Sequence, residues 1–291
     1  MREIKILIVV AFFTGALYWG VEPFAHTKLH PHVEAPDYTF SDVQGLDAGV
    51  VGNATAGAEL VANNCTACHS IESVGFPPLM DDASNAAAYG VVPPDLSTAG
   101  KLYDANYLAA FIKDPATAAK TSHKFEDGAS HPMPAYSWMQ PQEIADMVAY
   151  LQSIAPKEMT NKEVFVNACQ RCHSIKYGDF YGGTMAAKTP DENIKHYMGV
   201  VPPDLSQYIR SRGEHYLHEF INDPQKHLEG TAMPRVGLTH DSEKQVIGYL
   251  TEVGDSKKEQ RESLGGPFLG YLVIFAIFAW AWKAKIWRQV H

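Results

Sequence analysis

All four cysteines of this 291-residue chain stand in two copies of one pattern, Cys65-Thr66-Ala67-Cys68-His69 and Cys169-Gln170-Arg171-Cys172-His173, 104 positions apart. Two thiols three residues apart with a histidine directly after the second is the attachment pattern of c-type haem. The thiols form thioethers with the haem vinyl groups, and the adjacent imidazole reaches the iron from the same short turn. Two other chemistries use paired cysteines. One structural zinc site could take all four thiols, but zinc has no need of a histidine repeated after each pair. A Cys-x-x-Cys redox couple is the other, and no βαβ pattern surrounds either pair. The spacing points to two covalently bound c-type haems, one held by Cys65, Cys68 and His69 and the other by Cys169, Cys172 and His173.

A haem iron has a second axial face, and its occupant decides between carrying electrons and doing chemistry. Met133 and Met233 stand 64 and 60 residues beyond the two histidines, each followed by proline and each just ahead of an amphipathic pattern. Of the nine methionines, Met80, Met139, Met147, Met185 and Met198 compete, but none has a twin in the other copy. Thioether ligation raises the reduction potential relative to a second histidine and closes the iron to substrates. The expected iron ligands are therefore His69 with Met133 and His173 with Met233, and His131 is the rival in the first site. No catalytic residue is expected, since a di-haem peroxidase would need an iron with an open or displaceable sixth position.

The elements that must position these residues are duplicated. "VVPPDLS" at 91–97 returns at 200–206, "LAAFIKDP" at 108–115 is echoed by "LHEFINDP" at 217–224, and a Tyr-Leu pair closes each copy at 150–151 and 249–250. Five landmarks in one order, with offsets of 104, 109, 109, 100 and 99, describe a domain of about 100 residues present twice. Short helical leads are expected over 57–68 and 161–172. Helices over 105–113 and 214–222 should stop at Asp-Pro, because the residue before proline is pushed out of helical geometry. The closing helices carry one apolar stripe each, Ile144, Met147, Val148 and Leu151, then Val246, Ile247 and Leu250. Pro141 suits the first turn of the former and Thr239 the N-cap of the latter. No strand pattern alternates anywhere, so each copy reads as small and all-α.

The chain ends determine where the copies sit. Residues 263–282 are twenty positions without a charge, enough to span a hydrocarbon core of about 30 Å as a helix. Residues 6–21 are sixteen uncharged positions behind Arg2 and Lys5, which fits a short anchor or a signal peptide cut after Ala16; retention is the favoured reading. Lys283, Lys285 and Arg288 flank the last span, so both termini are expected in the cytoplasm and the haem domains in the periplasm, with the spans in the inner membrane lipid. Lys257, Lys258 and Arg261 on the other side weaken that bias. Haem uses every cysteine and leaves none for disulfides. Setting aside five basic and one acidic flanking residue leaves 19 basic against 32 acidic, a net charge of −13 over residues 6–282. Such a field favours a basic protein partner and opposes nucleic acid or anionic lipid, or it serves ordinary acidic solubility.

Cys-x-x-Cys-His, a following "PPDL" and a late Met-Pro before an amphipathic helix together resemble the class I cytochrome c fold. That resemblance implies that a proline carbonyl of the middle motif accepts the histidine hydrogen bond: Pro94 and Pro203 by position, or Pro93 and Pro202 if the register slips by one. Two such lobes, the stretch "YWGVEPFAHTKLHPHVEAP" at 18–36 and a C-terminal span make the chain similar to the di-haem cytochrome c1 subunits of certain bacterial cytochrome bc1 complexes. The implied fold is all-α, two tandem class I cytochrome c domains between an N-terminal and a C-terminal transmembrane helix. The implied boundaries are an anchor over 1–22, a linker over 23–50, domains over 51–156 and 157–255, a linker over 256–262, and a span with its cytoplasmic end over 263–291. The implied partners are cytochrome b, the Rieske iron-sulfur protein as electron donor, and a cytochrome c or terminal oxidase as acceptor. A cytochrome-bearing subunit of a haem-copper oxidase, or a free-standing membrane-tethered shuttle, would share the same parts.

Overall fold

A computed structural model describes residues 2–29, 35–125, 130–179 and 190–290. Met185, parts of the 18–36 and 177–184 segments and the side chain of Arg2 lie outside the described residues. The described residues contain helices, turns and two isolated bridges, Ile71 to Phe76 and Tyr103 to Leu238, and no strand. Helix α1 (Arg2–Ala16) runs through a π turn, Leu17–Val21, into Glu22–Leu29. The first copy is α2 (Ala54–Asn64), α3 (Asp82–Tyr89), α4 (Ala105–Lys113) and α5 (Pro141–Ile154). The second repeats that order as α6 (Asn161–Ala168), α7 (Asp191–Met198), α8 (Glu214–Asn222) and α9 (His240–Gly254), and α10 (Lys258–Val290) closes the chain.

Local chemistry sets these limits. The Asn53 side chain accepts from the Thr55 and Ala56 amides to start α2, and Thr160 and Glu163 form a reciprocal capping box on α6. Gln140, Glu143 and Pro141 begin α5, and Thr239 caps α9 by accepting from the Ser242 amide. Helices α4 and α8 end where expected, with Asp114 at φ −152° and Asp223 at φ −148°, each extended ahead of its proline. The leads α2 and α6 stop at Asn64 and Ala168, earlier than the expected 68 and 172, because the chain turns sharply at each first cysteine.

Each closing helix lies against the lead helix of its own copy, and the expected stripes are the core. Ile144, Met147, Val148 and Leu151 are buried with Val61, Ile71 and Leu108; Val246, Ile247 and Leu250 are buried with Val164, Phe165 and Ile175. The two cores meet: Leu102 of the first copy is buried in the second core, and Tyr103 packs against both.

The seam between copies is hydrogen-bonded. The Asp104 amide donates to Gly237 O at 3.0 Å, the Thr239 amide to Leu102 O at 2.9 Å, and the Arg235 amide to Ala119 O at 2.9 Å. The Tyr107 hydroxyl donates to the Arg235 carbonyl. Gly237 has φ +74°, and a Cβ there would lie 1.9 Å from the Tyr107 ring, so only glycine fits this crossing. Part of the expected linker packs on both copies: the Asp37 amide donates to Asn222 and the Leu46 amide to Asn106. Phe40 is fully buried under the Arg235 guanidinium, which lies 4.6 Å from its ring centroid. Asp42 pairs with Arg235 at 2.6 Å and with Lys120 at 2.7 Å, and Lys120 reaches Asp223 at 2.6 Å.

The terminal helices are longer than the uncharged runs. Glu3–Lys28 and Lys258–Gln289 are each long and apolar enough to cross a membrane, with none of their most apolar windows buried in the protein. Pro267 lies inside α10 without ending it, as transmembrane helices tolerate. The Lys283 ammonium pairs with the Glu3 carboxylate at 2.8 Å, so the start of α1 lies beside the end of α10.

Candidate haem sites

The two Cys-x-x-Cys-His motifs fold identically at the end of a lead helix. The Cys65 amide closes α2 on Val61 O at 2.9 Å, and the Cys68 and His69 amides then turn back onto Cys65 O at 3.1 and 2.9 Å. In the second copy Cys169 bonds Phe165 O at 2.8 Å, and Cys172 and His173 return to Cys169 O at 3.1 and 2.9 Å. One tight turn thus carries two thiols and an imidazole, the arrangement needed to grip a planar macrocycle and its metal from one side.

The middle motif meets this turn in each copy. His69 Nδ1 lies 2.8 Å from Pro94 O, and His173 Nδ1 lies 3.0 Å from Pro203 O. A carbonyl only accepts, so Nδ1 carries the hydrogen and Nε2 is left with the lone pair a metal needs. The adjacent backbone ties the same segments together, with the Leu96 amide on Ser70 O and the Leu205 amide on Ser174 O, both at 2.9 Å. Asp95 then accepts from the Glu72 and Ser97 amides, and Asp204 from the Lys176 and Ser206 amides. These aspartates were not singled out by sequence reading, although the repeated "PPDLS" carried the signal.

Burial acts on five of these donors. Burial pushes the Cys65 and Cys169 thiols up to about 12, and it also raises Cys172. Burial pushes the His69 imidazole down, opposed by the Pro94 carbonyl and reinforced by the Arg171 charge. His173 is lowered by burial in the same way, with the Pro203 carbonyl opposing. Two thiols and an imidazole with a free Nε2 on one turn fit haem attachment and ligation. All four cysteines are unpaired, and among the described residues no three His, Cys, Asp or Glu side chains converge as a metal cage.

The methionines are less symmetric. Met133 and Cys65 both pack against the first core, so the structure brings a sulfur of the late motif to the cluster that supports the attachment turn. Met233 is half-buried after Thr231 and is not among the side chains packed on the second core. His131 Nδ1 accepts from the Met133 amide at 3.1 Å, and its ring lies edge-on to Phe111 and Phe125. That nitrogen is occupied by the backbone. Met139, Met147 and Met198 are buried core residues, and Met80 is half-buried.

Residues 54–155 match the family model for cytochrome c. The chain carries a cytochrome c domain there, and such a domain implies covalently bound haem. A curated relative, cytochrome c of Tetrahymena pyriformis, is 29% identical over 98 residues, covering 32% of this chain and 84% of the relative. A solved chain titled "Hyperthermophilic respiratory Complex III" aligns over 98% of this chain and 99% of its own length at 19% identity, with a TM-score of 0.31. At that score the likeness fixes neither a function nor a partner.

Proposed function

We propose that the chain is a membrane-anchored di-haem electron carrier, the cytochrome c1 subunit of a bacterial cytochrome bc1 complex. In this reading it takes electrons from the Rieske iron-sulfur protein and passes them to a periplasmic cytochrome c or terminal oxidase. The observation that carries the two-haem reading is the duplicated contact of a motif histidine with a middle-motif proline carbonyl, at 2.8 and 3.0 Å. Cys65, Cys68 and His69 hold one haem, with Met133 as the second iron ligand; Cys169, Cys172, His173 and Met233 hold the other.

Haem supplies the one-electron couple, and the protein residues set its conditions. Pro94 and Pro203 orient the imidazoles and raise their basicity as ligands. Asp95 and Asp204 hold the two segments in register. The Glu3 to Lys283 pair supports an antiparallel pair of spans with both chain ends on one side, as the positive flanks suggest. The bc1 assignment rests on the tandem motifs between two anchors, and the acidic central region suits a basic electron acceptor.

Purification of the tagged chain in mild detergent from its native membranes tests the assignment. Recovery with a cytochrome b and a Rieske protein supports it. Recovery with a haem-copper oxidase core contradicts it while leaving the haem reading intact.

A further inference from the structure

The two late motifs part company directly after the proline: Met133-Pro134 is followed by Ala135, and Met233-Pro234 by Arg235. Met133 packs on the core of its own copy, whereas Met233 is not among the side chains packed on the second core. Ahead of Met233, the Gln225 side-chain amide donates to Thr231 O at 2.9 Å. Behind it stands Arg235, which is 2% exposed. Its backbone amide donates to Ala119 O at 2.9 Å, and its carbonyl accepts from the Tyr107 hydroxyl, both in the first copy. Its guanidinium lies 4.6 Å from the Phe40 ring centroid and pairs with Asp42 at 2.6 Å, both in the linker that precedes the first copy. Nε turns back to the second copy, donating to Asn222 O at 3.1 Å.

A buried guanidinium keeps its charge at every accessible pH, so it demands a carboxylate and hydrogen-bond acceptors at fixed positions. Asp42 supplies the charge. Lys120 bridges Asp42 to Asp223 at 2.7 and 2.6 Å, so the carboxylate is itself held in place. Pro234 fixes one backbone torsion between Met233 and this anchor. The residue two places after Met233 is therefore braced by the first copy and the linker, and any swing of the Met233 segment that carries Arg235 with it must break that bracing.

We propose that Arg235 is a positioning residue that fastens the Met233 segment to the first copy and the linker, holding the thioether on the second haem iron. This rests on the reading of Met233 as an iron ligand given above. Local opening of a segment costs the contacts that it breaks. An external ligand for the iron binds in proportion to the fraction of sites from which Met233 is displaced, so imidazole reads the fastening directly.

In the oxidised full-length protein in detergent, a Met133→His background leaves Met233 as the one thioether ligand, and its sulfur-to-iron absorbance falls as imidazole displaces it. No such absorbance in that background overturns the Met233 assignment and the proposal together. With the absorbance present, Arg235→Leu should lower the imidazole concentration of half-displacement about tenfold or more. Asp42→Asn, which removes the counter-ion from outside both copies, should lower it about threefold. An unmoved midpoint in Arg235→Leu overturns the proposal alone, and an unmoved midpoint in Asp42→Asn does so where Arg235→Leu binds no second haem. The reciprocal Met233→His background reads Met133, and there Arg235→Leu should hold the midpoint within about threefold. Equal loosening at Met133 would mark general destabilisation and overturn the proposal.

Discussion

The imidazole of His69 donates from Nδ1 to the carbonyl oxygen of Pro94 across 2.8 Å, joining the attachment turn to the middle motif 25 residues later. The second copy reproduces the contact at 3.0 Å between His173 and Pro203. Two independent segments of chain reach one geometry, which marks it as a requirement of the fold rather than an accident of one loop.

Replacing a thioether ligand with an imidazole lowers a haem potential. Met233→His should leave two haems bound and move one redox wave down by more than about 59 mV, a tenfold change in the one-electron equilibrium. A redox titration superimposable on that of the unmodified chain would remove Met233 from the ligand set.

Loss of both thiols removes covalent attachment at one site only. Cys65→Ala/Cys68→Ala should reduce peroxidase-type haem staining of the denatured chain by about half, with the remaining signal carried by Cys169 and Cys172. Staining of undiminished intensity would show that this pair does not attach haem.

Gly237→Ala places a methyl group into the Tyr107 ring as well as on a left-handed backbone, whereas Gly230, also left-handed at φ +75°, faces open space. The first substitution should cost on the order of 3 kcal/mol and the second about 1 kcal/mol. Thermal unfolding of the full chain in detergent compares them, and equal losses would mean that the seam is not close-packed at Tyr107.

Burial raises the Asp95 carboxyl, but hydrogen bonds from Ser70, Ser97 and the Glu72 amide outweigh it and hold the group below its ordinary 3.8. A carboxyl depressed by folding stabilises the fold above its unfolded value and loses that contribution as pH falls through the lower folded value. Asp95→Asn should therefore lower the thermal midpoint at pH 7, and the difference should close as pH drops below about 3.8. A difference that persists unchanged at pH 3 would show that the Asp95 charge is not what stabilises the turn.

Short-range features of this protein were readable from its residues. Asp114-Pro115 and Asp223-Pro224 ended their helices because proline constrains only its neighbour, and Thr239 capped α9 for an equally local reason. The stripes through Met147 and Ile247 followed from helical periodicity. The seam was not readable. Leu102 is apolar in either copy, and nothing local says it is buried in the other core; Phe40 lay in a stretch that read as a spacer.

The central claim is that each chain carries two covalently bound haems, and intact mass spectrometry of the purified, denatured protein tests it most directly. The account predicts a mass above that of the polypeptide by two haems, falling to one in Cys169→Ala/Cys172→Ala. An unmodified chain carrying a single haem, or none, would contradict it.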